Sequence, residues 1–416
     1  MGGRAMTESP VGRAQGGALL IVGATVISGL AGYAVTFAVF RLLGASDYKL
    51  FAIFWATLYL VVGALSGIQQ EITRSTYPIE FGSRVRASRA RNFAIAFAAL
   101  LFVAIVATSP LWAKLVFARD AGDLVWPLAV GAAAYVLVAT LAGSLYGVAQ
   151  WRSIALLIVV DGLLRLVLVL GVFFFTRSVP LVAWAAALPF PMALLLLWRF
   201  IRGGFVGRSD IDVGYRKLTW NVARTVLASA STAILISGFP LLVGVAGRGS
   251  SSAYVGSLIF AITITRAPLI VTVMALQSFF LVRFRDHGRS PGTAIAIAVG
   301  VLVAIGLALA ALAWWIGPAI LAWVSGGHTT LGGGLLAVLV VSSALVGALT
   351  ITGSGVLAQS GHFVYSLGWV AAAAVTVLLM AVPLGILERV EIALIIAPLV
   401  GLAVHGTWLA ARRRAH

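Results

Sequence analysis

The stretch IALLIVVDGLLRLVLVLGVFFFT, Ile154–Thr176, carries one acid, Asp161, and one base, Arg165, and is otherwise almost wholly apolar. A helix needs about 20 predominantly apolar residues to cross a bilayer, so this segment predicts a membrane span. Its surroundings are of the same kind. Of 416 residues 61% are apolar and 10% charged, and the mean hydropathy is +1.08. Soluble domains carry about 25% charged residues. That much apolar surface has no place in a water-soluble domain, which excludes a soluble enzyme, a disordered scaffold and a nucleic-acid-binding domain in water. With no cysteine there is no disulfide framework, thiolate metal site or Cys nucleophile.

Working outward gives twelve apolar runs, near 16–40, 50–70, 93–118, 124–148, 154–176, 180–200, 223–246, 254–281, 293–316, 331–357, 363–384 and 391–411. The expected fold is an all-α polytopic membrane protein. The Gly- and Pro-containing segment 317–330 reads as a loop, although Ile320–Val324 could extend a helix. The first run is too long, and lacks the cleavage pattern, for a removable signal peptide. With the N-terminus placed in the cytoplasm, 20 of the 29 Lys and Arg fall on cytoplasmic segments, seven on outer ones and two within spans. This bias predicts cytoplasmic N- and C-termini and an even number of spans.

The longest polar segments are 71–92 and 201–222. The second sits at mid-chain and reads as a linker at 205–222, between six-helix lobes at 1–204 and 223–416. Its stretch Asp210–Asn221 could lie along the membrane surface as an amphipathic helix. Half a chain length separates several matches. Ile27-Ser28-Gly29 recurs as Ile236-Ser237-Gly238, Gln69 as Gln277, Arg74 as Arg283, Gly143-Ser144 as Gly353-Ser354, and Ala149-Gln150 as Ala358-Gln359. Each pairing joins one span to the sixth span after it. Parallel six-helix repeats imply a pseudo-twofold axis along the membrane normal, with a central cleft that rocking of the lobes would open to each side in turn.

Polar residues deep in the spans are few. An ion at mid-bilayer costs about 2.5–3.5 kcal/mol on insertion scales and usually faces a bundle interior or a watered cavity. Asp161 and Arg165 stand at i,i+4 on one helical face. They fit a self-neutralised structural pair as well as a site. Arg266 has no acid at i±3 or i±4 and is expected to line a cavity, with Gln277 three turns further along. Gln69, Gln70, Glu71 and Arg74 close the second run, where Glu71 and Arg74 could equally snorkel to the interface. Arginine stays charged and offers a planar donor fork suited to phosphate. The excess of deep cations therefore points to an anionic cargo, for which Arg266, Arg165 and Arg74 are the candidate contacts. Asp161 and Glu71 are candidates for ion coupling.

Gly63–Gly67 and Gly143–Gly147 have the spacing that lets helices approach closely. Pro189, Pro191, Pro240 and Pro268 are expected to kink their spans. His328 and His362 fall in loops or at span ends. No metal-binding spacing and no ATP-binding P-loop motif occurs, so no metal, cofactor or catalytic residue is expected.

The stretch Arg41-Leu42-Leu43-Gly44-Ala45-Ser46-Asp47-Tyr48, leading into Phe51-Ala52, resembles the R-x-L-G-x-x-x-Y-G-x-[FY]-A pattern that follows the first helix of polysaccharide exporters. Lys49 stands where that pattern has Gly. Ser66–Arg74 and Arg266-Ala267-Pro268-Leu269 with Leu276-Gln277 resemble bacterial members too. The chain is thus similar to the polysaccharide/O-antigen flippase branch of the multidrug/oligosaccharidyl-lipid/polysaccharide exporter superfamily. That resemblance implies a multi-pass protein of the bacterial cytoplasmic (inner) membrane, not an enzyme. It implies alternating-access flipping of a polyprenyl-phosphate- or diphosphate-linked oligosaccharide through a cationic central cavity. The partners it implies are the lipid-linked anionic glycan, membrane lipids, and glycosyltransferases or a polymerase of polysaccharide assembly, with no nucleic acid. Arg266 and Arg165 would meet the diphosphate or acidic sugars, and Gln69, Gln70 and Gln277 the sugar hydroxyls. The main competitor is a proton- or sodium-coupled small-molecule exporter of multidrug type on the same fold, which should show unpaired acids in its cavity. A membrane glycosyltransferase or polymerase should show a sizeable external loop, and a scaffold has no use for an unpaired deep arginine.

Overall fold

A computed structural model describes residues 10–78, 89–204, 206, 209–276, 280, 283–284, 291–327 and 331–414. They are helical almost throughout. The order is α1 (Pro10–Ser75), β1 (Thr76–Pro78), α2 (Arg89–Phe117), α3 (Ala121–Gly147), α4 (Trp151–Phe173), α5 (Val179–Ala187), α6 (Pro189–Ile201), β2 (Ser209–Ile211), α7 (Tyr215–Ile236), α8 (Phe239–Ala246), α9 (Ser252–Ala275), α10 (Pro291–Ser325), α11 (Gly333–Ala358), α12 (His362–Met380) and α13 (Ile386–Arg414). Among the described residues nine helical segments are long and apolar enough to cross a membrane, or ten if the bent pair α7–α8 is one span. The chain is therefore a multi-pass membrane protein.

The count differs from the twelve runs expected for identifiable reasons. Runs 16–40 and 50–70 are two helices that follow one another directly within α1, so that its apolar part, Leu19–Ser75, counts as one segment of 57 residues. At 1.5 Å per residue that is about 85 Å, against a hydrocarbon core of about 30 Å. Gly44 divides it with φ 76° and ψ 170°, a conformation essentially restricted to glycine. Run 223–246 is broken into α7 and α8, bent by 61°. Run 254–281 is described as helix only to Ala275, and its apolar portion Ser252–Arg266 is a shorter segment.

Two local expectations are corrected. The segment 317–330 is not a loop at its start, because α10 continues through Pro318 to Ser325. Proline removes one hydrogen bond to the preceding turn, and the apolar Ile320–Val324 carry the helix on. The chain turns only at Gly326 and Gly327, with φ 67° and 83°. Nor is Asp210–Asn221 one amphipathic helix. Ser209–Ile211 pairs antiparallel with Thr76–Pro78 (Thr76 opposite Ile211, Tyr77 opposite Asp210, Pro78 opposite Ser209), and the helix begins at Tyr215. The partner strand lies 130 residues away, beyond the reach of local periodicity.

Two compact units are defined by contacts. One comprises Met1–Val35, Leu65–Pro110 and Gly122–Leu227; the other comprises Thr36–Ala64, Leu111–Ala121 and Ala228–His416. In the first, Leu145, Ile154, Leu157, Ala193, Leu197 and Ile201 form a buried core of α3, α4 and α6. Gly162 lies so near α1 that a Cβ there would fall 2.5 Å from Ser28 Oγ. The Gly143–Gly147 pair acts as expected: added Cβ atoms would lie 2.7 Å from Ile72 and 2.6 Å from Thr76. In the second, Phe40 stacks on Phe260 at 3.9 Å and Tyr48 meets both rings edge-on. Gly256 is pressed against the Ala45 carbonyl, which leaves no room for a Cβ.

Several arginines bind the carbonyl ends of helices. Arg41 donates to Trp323 O in the last turn of α10, and Arg248 to Lys114 O in the last turn of α2, each at 3.4 Å. Arg389 donates to Met380 O at 3.2 Å and Ala246 O at 3.1 Å, the ends of α12 and α8, and Arg412 to Gln359 O at 2.9 Å after α11. Carbonyls in the last turn of a helix are short of donors (Trp323 O has Gly326 N at 3.2 Å besides Arg41), and a cation there offsets the helix dipole by about 0.3–1 kcal/mol. Arg41, Arg248 and Arg389 belong to the minority of cations on the lysine- and arginine-poor side of the expected topology, and these bonds give each of them a structural task.

Candidate functional site: two arginines at broken helices

The deep arginines each lie against a broken helix, one in each unit. In the first unit α5 stops at Leu188 because Pro189 and Pro191 have no N–H to donate. The two prolines withhold the donors that Ala185 O and Ala187 O would take in a continuous helix, and at the carbonyl between them, Ala186 O, Arg165 Nε donates at 3.0 Å. Its two terminal nitrogens donate to the Asp161 carboxylate at 2.8 Å each. The guanidinium lies 4.7 Å from the Phe190 ring centroid. Arg165 is 3% exposed. Its charge is matched, its donors are directed, and α4 is tied to the break.

In the second unit the break falls between α7 and α8. Ser237 N and Gly238 N both donate to Ala233 O, at 2.8 and 2.9 Å, and Pro240 leaves the next turn short of a donor. Arg266 of α9 lies over the first residue of α8, with its guanidinium carbon 5.3 Å from the Phe239 ring centroid. It is 5% exposed, and its Nε has no hydrogen-bond partner among the described residues. No described carboxylate pairs with it; the ion pairs among the described residues are Arg74–Glu71 and Arg165–Asp161. Neighbouring Thr263 and Thr265 return their hydroxyls to Ile259 O and Ala261 O of their own helix. A buried donor without an acceptor costs about 1–3 kcal/mol, more when charged. Such a group retained in a membrane protein is suited to an anionic acceptor that comes and goes.

Glu71 and Arg74 meet in a third cluster, at the end of α1. Arg74 Nε donates to Glu71 at 2.8 Å, and Asn221 Nδ2 of α7 donates to the same carboxylate at 2.8 Å. Glu71 is 3% exposed, whereas the Arg74 side chain is 56% exposed. Thr225 donates to Gly67 O at 2.9 Å, and a Cβ on Gly67 would lie 2.5 Å from the Thr225 backbone. In the other unit, a Cβ on Gly63 would lie 2.7 Å from Ala233 Cβ. The Gly63–Gly67 spacing is thus a packing device against α7.

Gln69 is half-buried and Gln70 exposed. Gln277 lies outside the described residues. The structure brings Asp161 to Arg165 and Glu71 to Arg74, and leaves Arg266 with neither. Sequence reasoning missed Phe190 and Phe239, although each precedes a proline, as Phe190-Pro191 and Phe239-Pro240, and that shared dipeptide was a readable signal. It also missed Asn221 and the buried His405. The His405 ring nitrogens lie 3.2 Å from Thr352 Oγ1 and 3.3 Å from Tyr365 O. Among the described residues no group of three or more His, Asp or Glu could hold a metal ion.

The chain superposes on an inward-facing multidrug resistance MATE family transporter of the MOP superfamily with a TM-score of 0.68 and 17% identity, covering 95% of this chain and 99% of that one. An outward-facing MATE family transporter gives 0.63 at 17% identity, with 96% of each chain covered. The fold is that of the MATE transporters. No protein-family profile matches the chain. It is 31% identical to uncharacterized protein Rv1510 of Mycobacterium tuberculosis, over 98% of this chain and 94% of the relative. It is also 31% identical to uncharacterized protein Mb3654 of Mycobacterium bovis, over 96% and 95%. The chain belongs to the family of these mycobacterial proteins.

Proposed function

We propose that the protein is a secondary transporter of the bacterial cytoplasmic membrane that works by alternating access and exports an anionic organic solute. The fold shared with multidrug-type MATE transporters supports the transport mode. The single observation that supports the sign of the cargo is the contrast among deep ions. Asp161 and Glu71 are both occupied by arginine, while Arg266 holds a buried donor with no acceptor. A cation exporter needs a free acid in the membrane; among the described residues the deep ion without a counter-ion is a base. Arg266 would pair with the anionic group of the cargo, and the Phe239 ring would hold the guanidinium in place. The two six-helix lobes at 1–204 and 223–416 would be the rocking bodies.

A second reading keeps the same chemistry with a larger passenger, a polyprenyl-diphosphate-linked glycan. The resemblance at Arg41–Ala52 favours it, and a diphosphate suits a guanidinium. Yet the residues of that motif serve packing here. Arg41 binds Trp323 O, Gly44 makes the break and Tyr48 fills the Phe40–Phe260 cluster. The small-solute reading therefore comes first. Transport into everted vesicles of an anionic fluorescent dye, with ethidium as the cationic counterpart, tests it. The expected result is uptake of the anion; uptake of ethidium alone would overturn it. If depletion of the protein left both dyes untouched but lipid-linked sugar accumulated in the inner leaflet, the second reading would take its place.

A further inference from the structure

A cavity of about 360 Å³ lies within the first unit, and neither deep arginine is among its lining residues. That exceeds the roughly 300 Å³ at which ligand pockets begin. Ala94, Ile95, Leu137, Leu141, Leu194 and Trp198 supply its apolar wall, from α2, α3 and α6. Ile95 and Trp198 are exposed, so this wall reaches the membrane-facing surface. The floor is polar and buried. Thr140 and Ser144 donate back to Val136 O and Thr140 O of their own helix, at 2.9 and 3.0 Å. Thr76 does not: its Oγ1 is buried, 8% of the residue is exposed, and no described group partners it. Asp210 also lines the cavity, and its carboxylate accepts Ile211 N at 2.8 Å.

The rim is basic. Arg91 lines the cavity and is exposed. Arg89, at the first turn of α2, donates to Ile211 O at 3.5 Å, and exposed Arg199 and Arg202 end α6 beside the lining residues Trp198 and Val206. The N-terminal end of α2 adds the positive end of its dipole. Arg91 is the cation among the lining residues, and Asp210, the acid among them, is engaged by the backbone N–H of Ile211.

We propose that this cavity binds an anionic phospholipid of the arginine-rich leaflet, one acyl chain entering between α2, α3 and α6 and the phosphate resting on Arg91. The hydrocarbon wall suits the chain and the rim suits the charge. Thr76 Oγ1 gains a partner in the ester oxygens of the glycerol region. The bound lipid bridges the β1–β2 ribbon, the point where the connections leaving α1 and entering α7 meet. It is a fixed lipid and not the transported cargo.

The test is native mass spectrometry of the full chain released from detergent, titrated with dioleoylphosphatidylglycerol or dioleoylphosphatidylcholine. The wild type should retain one phosphatidylglycerol in clear preference to phosphatidylcholine. Arg91→Gln, an exposed change that leaves the fold alone, should reduce that preference about fivefold, as about 1 kcal/mol per interfacial cation implies. Ala94→Trp should fill the cavity and release the lipid, whereas Leu307→Trp, on a membrane-exposed position of α10, should not. Equal retention of the two lipids, or an unchanged preference in Arg91→Gln, overturns the proposal. Displacement of phosphatidylglycerol by substoichiometric undecaprenyl phosphate overturns it as well, because the site would then belong to a lipid carrier. None of these readings depends on transport.

Discussion

Arg165 and Arg266 occupy nearly the same local setting and differ in what answers the charge. Each projects from an unbroken helix onto a Phe-Pro step at a break in another, with the guanidinium 4.7 Å from Phe190 in one case and 5.3 Å from Phe239 in the other. Arg165 has an aspartate one turn before it and a carbonyl at the break in reach. Arg266 has Ile262 at the equivalent position, and no described acid nearby takes the place of Asp161. A broken helix with an arginine over it is therefore a construction used twice. Under the proposed function, the version without its own acid is the one that would keep an ion available for a cargo.

The comparison breaks most sharply at Asp161. Asp161→Asn should strand a buried guanidinium and destabilise the protein by about 3–5 kcal/mol, read as a lowered unfolding midpoint in detergent. Replacing both partners, as Asp161→Leu with Arg165→Met, should recover most of that loss. If the single change left the midpoint alone, the pair would not be structural. Next comes Arg266→Gln. It should lower transport of the anionic solute by about 10–100-fold, the equivalent of about 1.5–3 kcal/mol for a charged hydrogen bond, with the unfolding midpoint unchanged or raised.

Ile262→Asp turns the second region into the first, placing an acid at i−4 of Arg266 on a buried face. Transport should fall to the level of Arg266→Gln while the protein still assembles and stays monodisperse in size-exclusion chromatography. Full transport in this variant would mean that neutralising Arg266 is of no consequence. Gly67→Ala tests packing away from both arginines. Its Cβ would meet the Thr225 backbone at 2.5 Å, so a loss of about 1–3 kcal/mol in stability is expected. The smallest effect belongs to Asn221→Ala, which removes one hydrogen bond to Glu71 and should cost about 1 kcal/mol or somewhat more.

Apolar run length carried much of this fold into the sequence. Runs 93–118, 124–148 and 154–176 coincide within a few residues with α2, α3 and α4. Continuity was the harder property. Nothing in composition says that Gly44 would join two helices with no loop between them, or that Pro318 would sit inside one, because both depend on whether neighbouring helices hold the turn in place. The β1–β2 ribbon was invisible for a related reason: its strands are three residues each and find each other across 130 positions. At the candidate site, the spacing of Asp161 and Arg165 was enough to anticipate their pairing, since i,i+4 fixes the face. That Arg266 has no counter-ion among the described residues was likewise anticipated from the absence of an acid at i±3 or i±4. Its partner ring was not, because Phe239 is brought to it by a 61° bend that the Gly-Phe-Pro sequence permits without fixing its direction. The close approach of Gly63 and Gly67 to α7 followed from their spacing, but the identity of the approaching helix did not.

The most direct test of the account is charge rescue at position 266. Uptake of the anionic dye into everted vesicles is compared for the wild type, Arg266→Gln and Arg266→Lys at equal protein level. The account predicts near-complete loss in the glutamine variant and substantial recovery in the lysine variant, which restores the charge without the planar fork. Equal uptake by all three would contradict it, because the buried cation would then have no part in carrying the solute.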